Sequence, residues 1–237
     1  MRSYALYLES GPRRQRTMVH VTDLLGCIAK GPTTEAALAA TPAAIRAYLR
    51  FIQRHGESVH PNSDFRIEII EHITVGQWLG NGDPALAFTI DRAPLRHDDA
   101  EHYIRRLEWS RADILALLEG LSDDQIAAVP PDGGRPILAM LEHLLDSEHF
   151  YLATLGPIPG TPAAGHVAQK REGPIREWMA YLRARELEHI RALSADERAK
   201  TVERWKQTWT ARKALRRMLE HEWEHLCELS DRLGQPL

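Results

Sequence analysis

The stretch ARKALRRMLEHEWEHLCELSDRL, residues 211–233, has the strongest bearing on the fold of this 237-residue chain. Apolar side chains recur in it at alternating spacings of three and four residues, which predicts a helix with one buried face. His221 and His225 occupy inward positions of that face, between Met218 and Leu229. Residues four apart lie one turn above each other on the same side of a helix, so both imidazoles can reach a single ion.

The histidine pair alone leaves two explanations open. An inward-facing imidazole is costly unless its ring nitrogens find partners. A divalent metal would satisfy both rings, and so would hydrogen bonds to carboxylates or to water. Glu222 and Glu224 fall outside the apolar face, so we expect neither of them in the core.

A third histidine favours the metal over the hydrogen-bond explanation. His143 lies in the middle of a predicted helix that covers residues 136–154. A third imidazole from a facing helix, with one position left open for water, is typical of a reactive zinc-like site. His149 faces another side of the same helix and is the weaker competitor. The predicted metal ligands are therefore His143, His221 and His225.

Helical patterns fill the chain after residue 97, and glycine- and proline-rich stretches separate them. The predicted helices cover residues 98–119, 136–154, 175–193 and 211–233. Four helices with one long crossover favour an antiparallel four-helix bundle. The arginines and lysine of the last helix (Arg212, Lys213, Arg216 and Arg217) either attract an anion or, the preferred interpretation, form a solvated helix face.

The first 75 residues have a different pattern. Alternating apolar residues predict strands at residues 4–9, 18–21, 26–31 and 65–70, with a charged turn at 11–16. One helix follows the capping residues Thr33 and Thr34 and ends at His55-Gly56.

The predicted fold class is accordingly α+β. A small α/β domain at residues 1–75 is followed by a linker at 76–96 and an all-α antiparallel four-helix bundle at 97–237. The linker is rich in glycine and proline, and a short strand at 86–90 is an option within it.

Composition narrows the function classes. The net charge of −3 excludes a strongly basic nucleic-acid binder, and no apolar run approaches the roughly 20 residues that span a bilayer. Two cysteines are too few for a disulfide framework. With no apolar signal-peptide core at the N-terminus, we expect a reduced cytoplasmic protein without nucleic-acid or membrane partners.

The N-terminal part resembles the HicB-like antitoxin domain. The resemblance rests on a first strand ending in Glu9, the turn DLLGC at residues 23–27 and the helix start GPTTEAAL at 31–38. Thr22 stands where that family often has proline. The resemblance covers roughly residues 3–72, carries no catalytic constellation, and implies a small α/β fold used for docking to a partner.

The remainder resembles the DinB-like (YfiT-type) superfamily of metal-binding four-helix bundles. LEHLLDSE at residues 141–148 matches the family's context for its helix-two histidine, and WTARKALR at 209–216 precedes the His-x-x-x-His pair. The wide separation of His143 from His221 is also typical. The resemblance implies a divalent cation, nickel or zinc in most members, and often a homodimer. Independently of the resemblance, Asp146 and Glu228 lie near enough in sequence to the histidines to orient the ligating rings; the alternative is that both are solvated charges.

Several members of that superfamily are thiol-dependent transferases or isomerases. The resemblance therefore implies a metal-dependent enzyme, a transferase or hydrolase acting on a small-molecule substrate or with a low-molecular-weight thiol. No general base is identifiable at a fixed spacing, so catalytic residues are not assigned. The alternative is a non-enzymatic, partner-binding or antitoxin-like module with a structural metal. The two differ in whether the fourth coordination position is open or closed by protein.

Overall fold

The computed structural model describes residues 1–11 and 16–237, and its N-terminal part is a four-stranded sheet. The strands are β1 (Arg2–Gly11), β2 (Arg16–Val21), β3 (Ile28–Gly31) and β4 (Phe65–Ile73), in the order β3-β2-β1-β4. β2 is antiparallel to both β1 and β3, whereas β4 is parallel to β1. Most of the turn predicted at 11–16 lies in residues 12–15, outside the described residues.

Helix α1 (Thr34–Arg54) provides the crossover that a parallel β1–β4 pair requires. The hydroxyl of Thr33 caps it by accepting a hydrogen bond from the amide of Ala36 at 3.1 Å. One face of α1 packs mainly on β3 and β2. The predicted helix and the predicted strands of this part are therefore present.

The segment between β4 and the helical part contributes its own buried side chains. Leu79, Leu86 and Phe88 pack together with Tyr7 of β1. The strand offered as an option at residues 86–90 is wrong: these residues form no strand, and Thr89–Arg92 is a short 3-10 helix. The carboxylate of Asp91 accepts a hydrogen bond from the amide of Phe88 at 2.9 Å, which closes this turn instead of pairing it with a strand.

The helical part contains four long helices and two short ones. They are α2 (His97–Leu117), α3 (Asp123–Ala127), α4 (Ile137–Ala153), α5 (Ile175–Ala192), α6 (Ala195–Ala199) and α7 (Ala211–Leu233). Among the long helices, α7 and α5 each pack against both α2 and α4. A sheet followed by helices makes the chain α+β, as predicted.

A hairpin that the sequence did not indicate leads into α7. It pairs β5 (Thr201–Arg204) with β6 (Gln207–Thr210) in antiparallel fashion. Its two central residues, Trp205 and Lys206, both have positive φ, as in the type I′ turns that match the twist of paired strands. Thr210 then caps α7 by accepting a hydrogen bond from the amide of Lys213 at 3.1 Å.

Helix α7 is buried on more than the one face predicted for it. Sixteen of its 23 residues are buried, including Lys213, Arg216, Arg217 and Glu222. The solvated face expected for the basic residues is therefore wrong for Lys213, Arg216 and Arg217, and Arg212 is half-buried. The expectation that Glu222 lies off the core is also wrong. The reason is the position of α7, which packs on α2 and α4 and also meets the sheet.

Contacts join the sheet to the helices. The rings of Tyr48 in α1 and Trp223 in α7 meet edge to face with centroids 4.8 Å apart. One hydrophobic cluster includes side chains of the sheet and α1 together with side chains of α2, α4, α5 and α7. The domain boundary placed at residues 76–96 stays a prediction. Among the described residues, no helix combines the length and apolar character that a bilayer crossing requires.

Candidate metal centre

Three histidines from two facing helices converge at one point. His143 projects from α4, and His221 and His225 project from successive turns of α7. One ring nitrogen of each lies within 4.8 Å of the others. The ring centroids are 4.6 Å apart for the α7 pair, and His143 lies 5.0 Å from His221 and 5.5 Å from His225. This group, called here the histidine cluster, could hold a metal ion.

The spacing of the ring nitrogens suits a tetrahedral ion. The Nε2 atoms of His221 and His225 are 3.2 Å apart. Two metal–nitrogen bonds of about 2.0–2.1 Å at a tetrahedral angle place their nitrogens roughly 3.3 Å apart. Two Nε2 atoms that face each other at this distance need either a proton or a cation between them. The donor set therefore fits a divalent cation that binds imidazole nitrogen.

Glu228 determines the orientation of one ring. It accepts a hydrogen bond from Nδ1 of His225 at 2.7 Å, which leaves the Nε2 lone pair free to face the cluster. That bond, with the charges of His225, Arg232 and Arg135, lowers the pKa of Glu228 to about 2. Asp146, the other candidate for this role, instead accepts a hydrogen bond from the amide of Ala168 at 3.1 Å.

The environment of two of the three rings favours their neutral form. Burial, followed by the neighbouring charge of His225, lowers the pKa of His221 well below its ordinary value. Partial desolvation of the ring, followed by the charge of His225, lowers the pKa of His143. Only the neutral imidazole has a lone pair for a metal, so both shifts favour the form of His221 and His143 that can coordinate a cation.

Access to the cluster is from the side of His143. That residue is exposed, whereas His221 and His225 are 9% and 5% exposed. His149, the competing ligand, is 1% exposed and lies elsewhere, with Nε2 3.3 Å from the hydroxyl of Thr161. The structure thus brings together the three histidines that were predicted and leaves His149 out.

An ion network that sequence reasoning missed is buried beside α7. It consists of Arg111, Glu148, Arg183, Glu186 and Glu222, from α2, α4, α5 and α7. Arg183 donates to Glu222 at 3.0 Å, to Glu148 at 2.7 Å and to Glu186 at 3.2 Å, and Arg111 donates to Glu222 at 2.8 Å and also to Glu148. The only signal in the sequence was the absence of an apolar side chain at these helix positions, which a solvated face produces equally well.

The basic residues of α7 bind the segment between β4 and α2 and the hairpin before α7. Arg216 binds Asp91 through two nitrogens at 2.7 Å, and Lys213 donates to the carbonyls of Pro84 and Thr208 at 2.8 and 2.6 Å. Arg216 also lines a cavity of about 780 Å³ between the sheet, the 3-10 segment and α2, and none of the three histidines lines it. These contacts give the basic residues structural partners within the chain.

Comparison with known proteins supports the DinB interpretation. A family model described as the DinB superfamily matches residues 106–229, just over half of the chain. The match contains the whole histidine cluster, and domains of this superfamily often bind metal. It confirms the DinB-like resemblance and leaves the HicB-like resemblance of the first 75 residues as a prediction. No curated protein and no solved structure matches the chain.

Proposed function

We propose that this chain, which belongs to the DinB superfamily, is a metal-dependent enzyme whose cation is held by His143, His221 and His225. The observation that carries the proposal is the convergence of three ring nitrogens within 4.8 Å, with one ring exposed. Three protein ligands leave a coordination position for water or substrate, as in catalytic zinc sites. Nickel or zinc suits imidazole ligands, and a bound ion would act as a Lewis acid or lower the pKa of a bound water or thiol.

The substrate class follows from the charge of the donor set. Three neutral imidazoles leave a divalent cation with its full positive charge, so the open position favours anionic or thiolate ligands. Transferase or hydrolase chemistry on a small molecule, with a low-molecular-weight thiol as a reactant, agrees with this preference. Lys30 of β3 lies near enough to His221 to help lower the pKa of that ring, and its charge is balanced by an ion pair with Glu224.

Metal content of protein purified without an affinity tag tests the ligand set. His221→Ala removes one of three ligands, so we expect it to lose most of the bound divalent metal that the unsubstituted protein retains. His149→Ala is the matched control, because it removes a buried histidine that lies outside the cluster, and we expect it to keep the metal. An unchanged metal content in His221→Ala would show that the three histidines are not the ligand set.

The open position is tested separately with cobalt-substituted protein. Adding glutathione should produce sulfur-to-metal charge-transfer bands in the visible spectrum, and His143→Ala/His225→Ala should show none. An unchanged spectrum with glutathione, acetate and azide would mean that protein closes the fourth position. The metal would then be structural, and we would abandon the enzyme proposal for a non-enzymatic module with a structural metal.

The alternative function is a partner-binding module with a structural metal. In this alternative a HicB-like domain docks to the partner, and an antiparallel four-helix bundle stabilised by the metal is its scaffold. The exposed isoleucines of β4 favour it, because apolar side chains on an edge strand are typical of a docking surface. An antitoxin role predicts that a small toxin protein co-purifies with the chain.

A further inference from the structure

The exposed apolar side chains of this protein are concentrated in one short segment. Nine large hydrophobic residues are exposed among the described residues, and five of them lie between positions 67 and 78. They are Ile67, Ile69, Ile70, Val75 and Trp78, which are 36%, 50%, 49%, 89% and 57% exposed. Such a concentration on a folded surface indicates an interaction site.

Three of these residues lie on β4, which is an edge of the sheet. β4 pairs with β1 on one side, so its outer row of backbone N–H and C=O groups can accept another strand. Ile67 and Ile69 are in register with the buried Tyr4 and Leu6, and they therefore share the sheet face that carries α1. They remain exposed because α1 packs mainly on β3 and β2.

We propose that β4 pairs in antiparallel fashion with β4 of a second copy of this chain, about a twofold axis at Ile67. Pairing in this register joins two four-stranded sheets into one of eight strands. Ile67 then lies opposite its own counterpart, and Phe65 lies opposite Ile69. The paired stretch uses the regular part of β4, because the irregularity in its pairing with β1 comes only after Ile69.

Charge complementarity identifies the partner as a second copy. In this register, Arg66 of each chain lies directly opposite Glu68 of the other, which gives two reciprocal ion pairs. Both side chains are exposed and free to reach across. An in-register parallel arrangement would instead place Arg66 on Arg66 and Glu68 on Glu68. Ile67 and Ile69 of both copies would form one apolar patch flanked by the two α1 helices.

A single cysteine tests the axis. Directly opposite residues of antiparallel strands have Cα atoms about 4.5–5.5 Å apart, within the range that a disulfide spans. In a Cys227→Ser background, which removes the half-buried thiol, oxidised Ile67→Cys should form a covalent dimer. Ile70→Cys is the matched control: it lies three residues from the axis, so its two copies would be about 20 Å apart and should stay unlinked.

Charge reversal tests the register without a covalent bond. Glu68→Arg places arginine opposite Arg66 on both sides of the axis. Sedimentation equilibrium should then show a dissociation constant of the dimer that is higher by about tenfold or more. Arg66→Glu/Glu68→Arg exchanges the charges and should restore the original affinity. A monomer at all concentrations, cross-linking of Ile70→Cys but not Ile67→Cys, or equal dissociation of the single and double charge variants would each overturn the proposal.

Discussion

At the scale of single residues, one hydrogen bond determines the orientation of His225 within the histidine cluster. Nδ1 of His225 donates to Glu228 at 2.7 Å, and Arg135 and Arg232 hold the carboxylate from the other side. Bonds of this kind to a ligating histidine fix its tautomer and its ring plane, and their loss typically costs about 10–100-fold in metal affinity.

Glu228→Gln should therefore weaken metal binding by about 10–100-fold while leaving all three proposed ligands in place. Isothermal titration of the metal-free protein with zinc measures the change. Asp231→Asn is the control, since it removes the same charge from an exposed position of the same helix. Equal losses of affinity in the two variants would mean that only long-range charge matters.

The histidines were predictable because chemistry and periodicity agree at them: two imidazoles four apart, within an apolar face, have few other uses. Glu228 was one of two candidates because both lie near the histidines in sequence, and only the side-chain geometry separates it from Asp146. The burial of Glu222 was not predictable. It depends on which helices surround α7, and no periodicity within α7 contains that information.

At the scale of the elements, the buried ion network ties the four long helices together. Arg183 of α5 contributes to it through three carboxylates, and it is 4% exposed. Removing one member of a buried ion pair leaves an unpaired charge in a medium that cannot hydrate it, which typically costs about 3–5 kcal/mol. Exposed pairs contribute about 0–1 kcal/mol.

Arg183→Met and Arg191→Met form a matched pair within α5. The first should lower the free energy of unfolding by about 3–5 kcal/mol. The second should lower it by less than about 1 kcal/mol, because Arg191 pairs with Glu108 at an exposed position. Urea denaturation followed by circular dichroism measures both. Similar small losses in the two variants would show that Arg183 is compensated from elsewhere.

Periodicity predicted the four long helices and the strands of the sheet, because all of them except β4 bury apolar side chains. In β4 the same alternation is present although its side chains are half-buried or exposed. It missed the β5–β6 hairpin for a local reason. A type I′ turn is usually indicated by asparagine, aspartate or glycine, and here Trp205 and Lys206 adopt its positive φ values. The exposed ring of Trp205 stacks on Phe150 with centroids 5.2 Å apart, a tertiary contact that no turn pattern contains.

At the scale of the whole molecule, the two domains predicted from the sequence share a contact surface. The turn at Gly26 packs against Tyr48 of α1 and Leu219 of α7, and Lys30 of β3 binds Glu224 of α7. Because side chains are buried across this junction, we expect the sheet and the helices to stabilise each other and to unfold together. All six tryptophans lie after residue 75, and Trp223 packs against Tyr48 and Phe51 of α1, so their fluorescence reports mainly the helical part and its contact with α1.

Gly26→Ala tests this coupling, with Gly56→Ala as the control. Both glycines have φ near +90° and precede residue 75, so alanine brings similar backbone strain at each. A methyl group at Gly26 would also lie 2.7 Å from Cγ of Leu219 and 2.8 Å from the Tyr48 hydroxyl, whereas at Gly56 nothing lies within 4 Å. Overpacking of this kind typically costs about 1–3 kcal/mol more.

In urea, Gly26→Ala should lower the midpoint seen by tryptophan fluorescence well below that of Gly56→Ala. The reason is that a defect at the junction destabilises helices that are distant in sequence. If the two parts unfold independently, the circular dichroism signal of the sheet will change in Gly26→Ala while the tryptophan midpoint stays where it is in the unsubstituted protein.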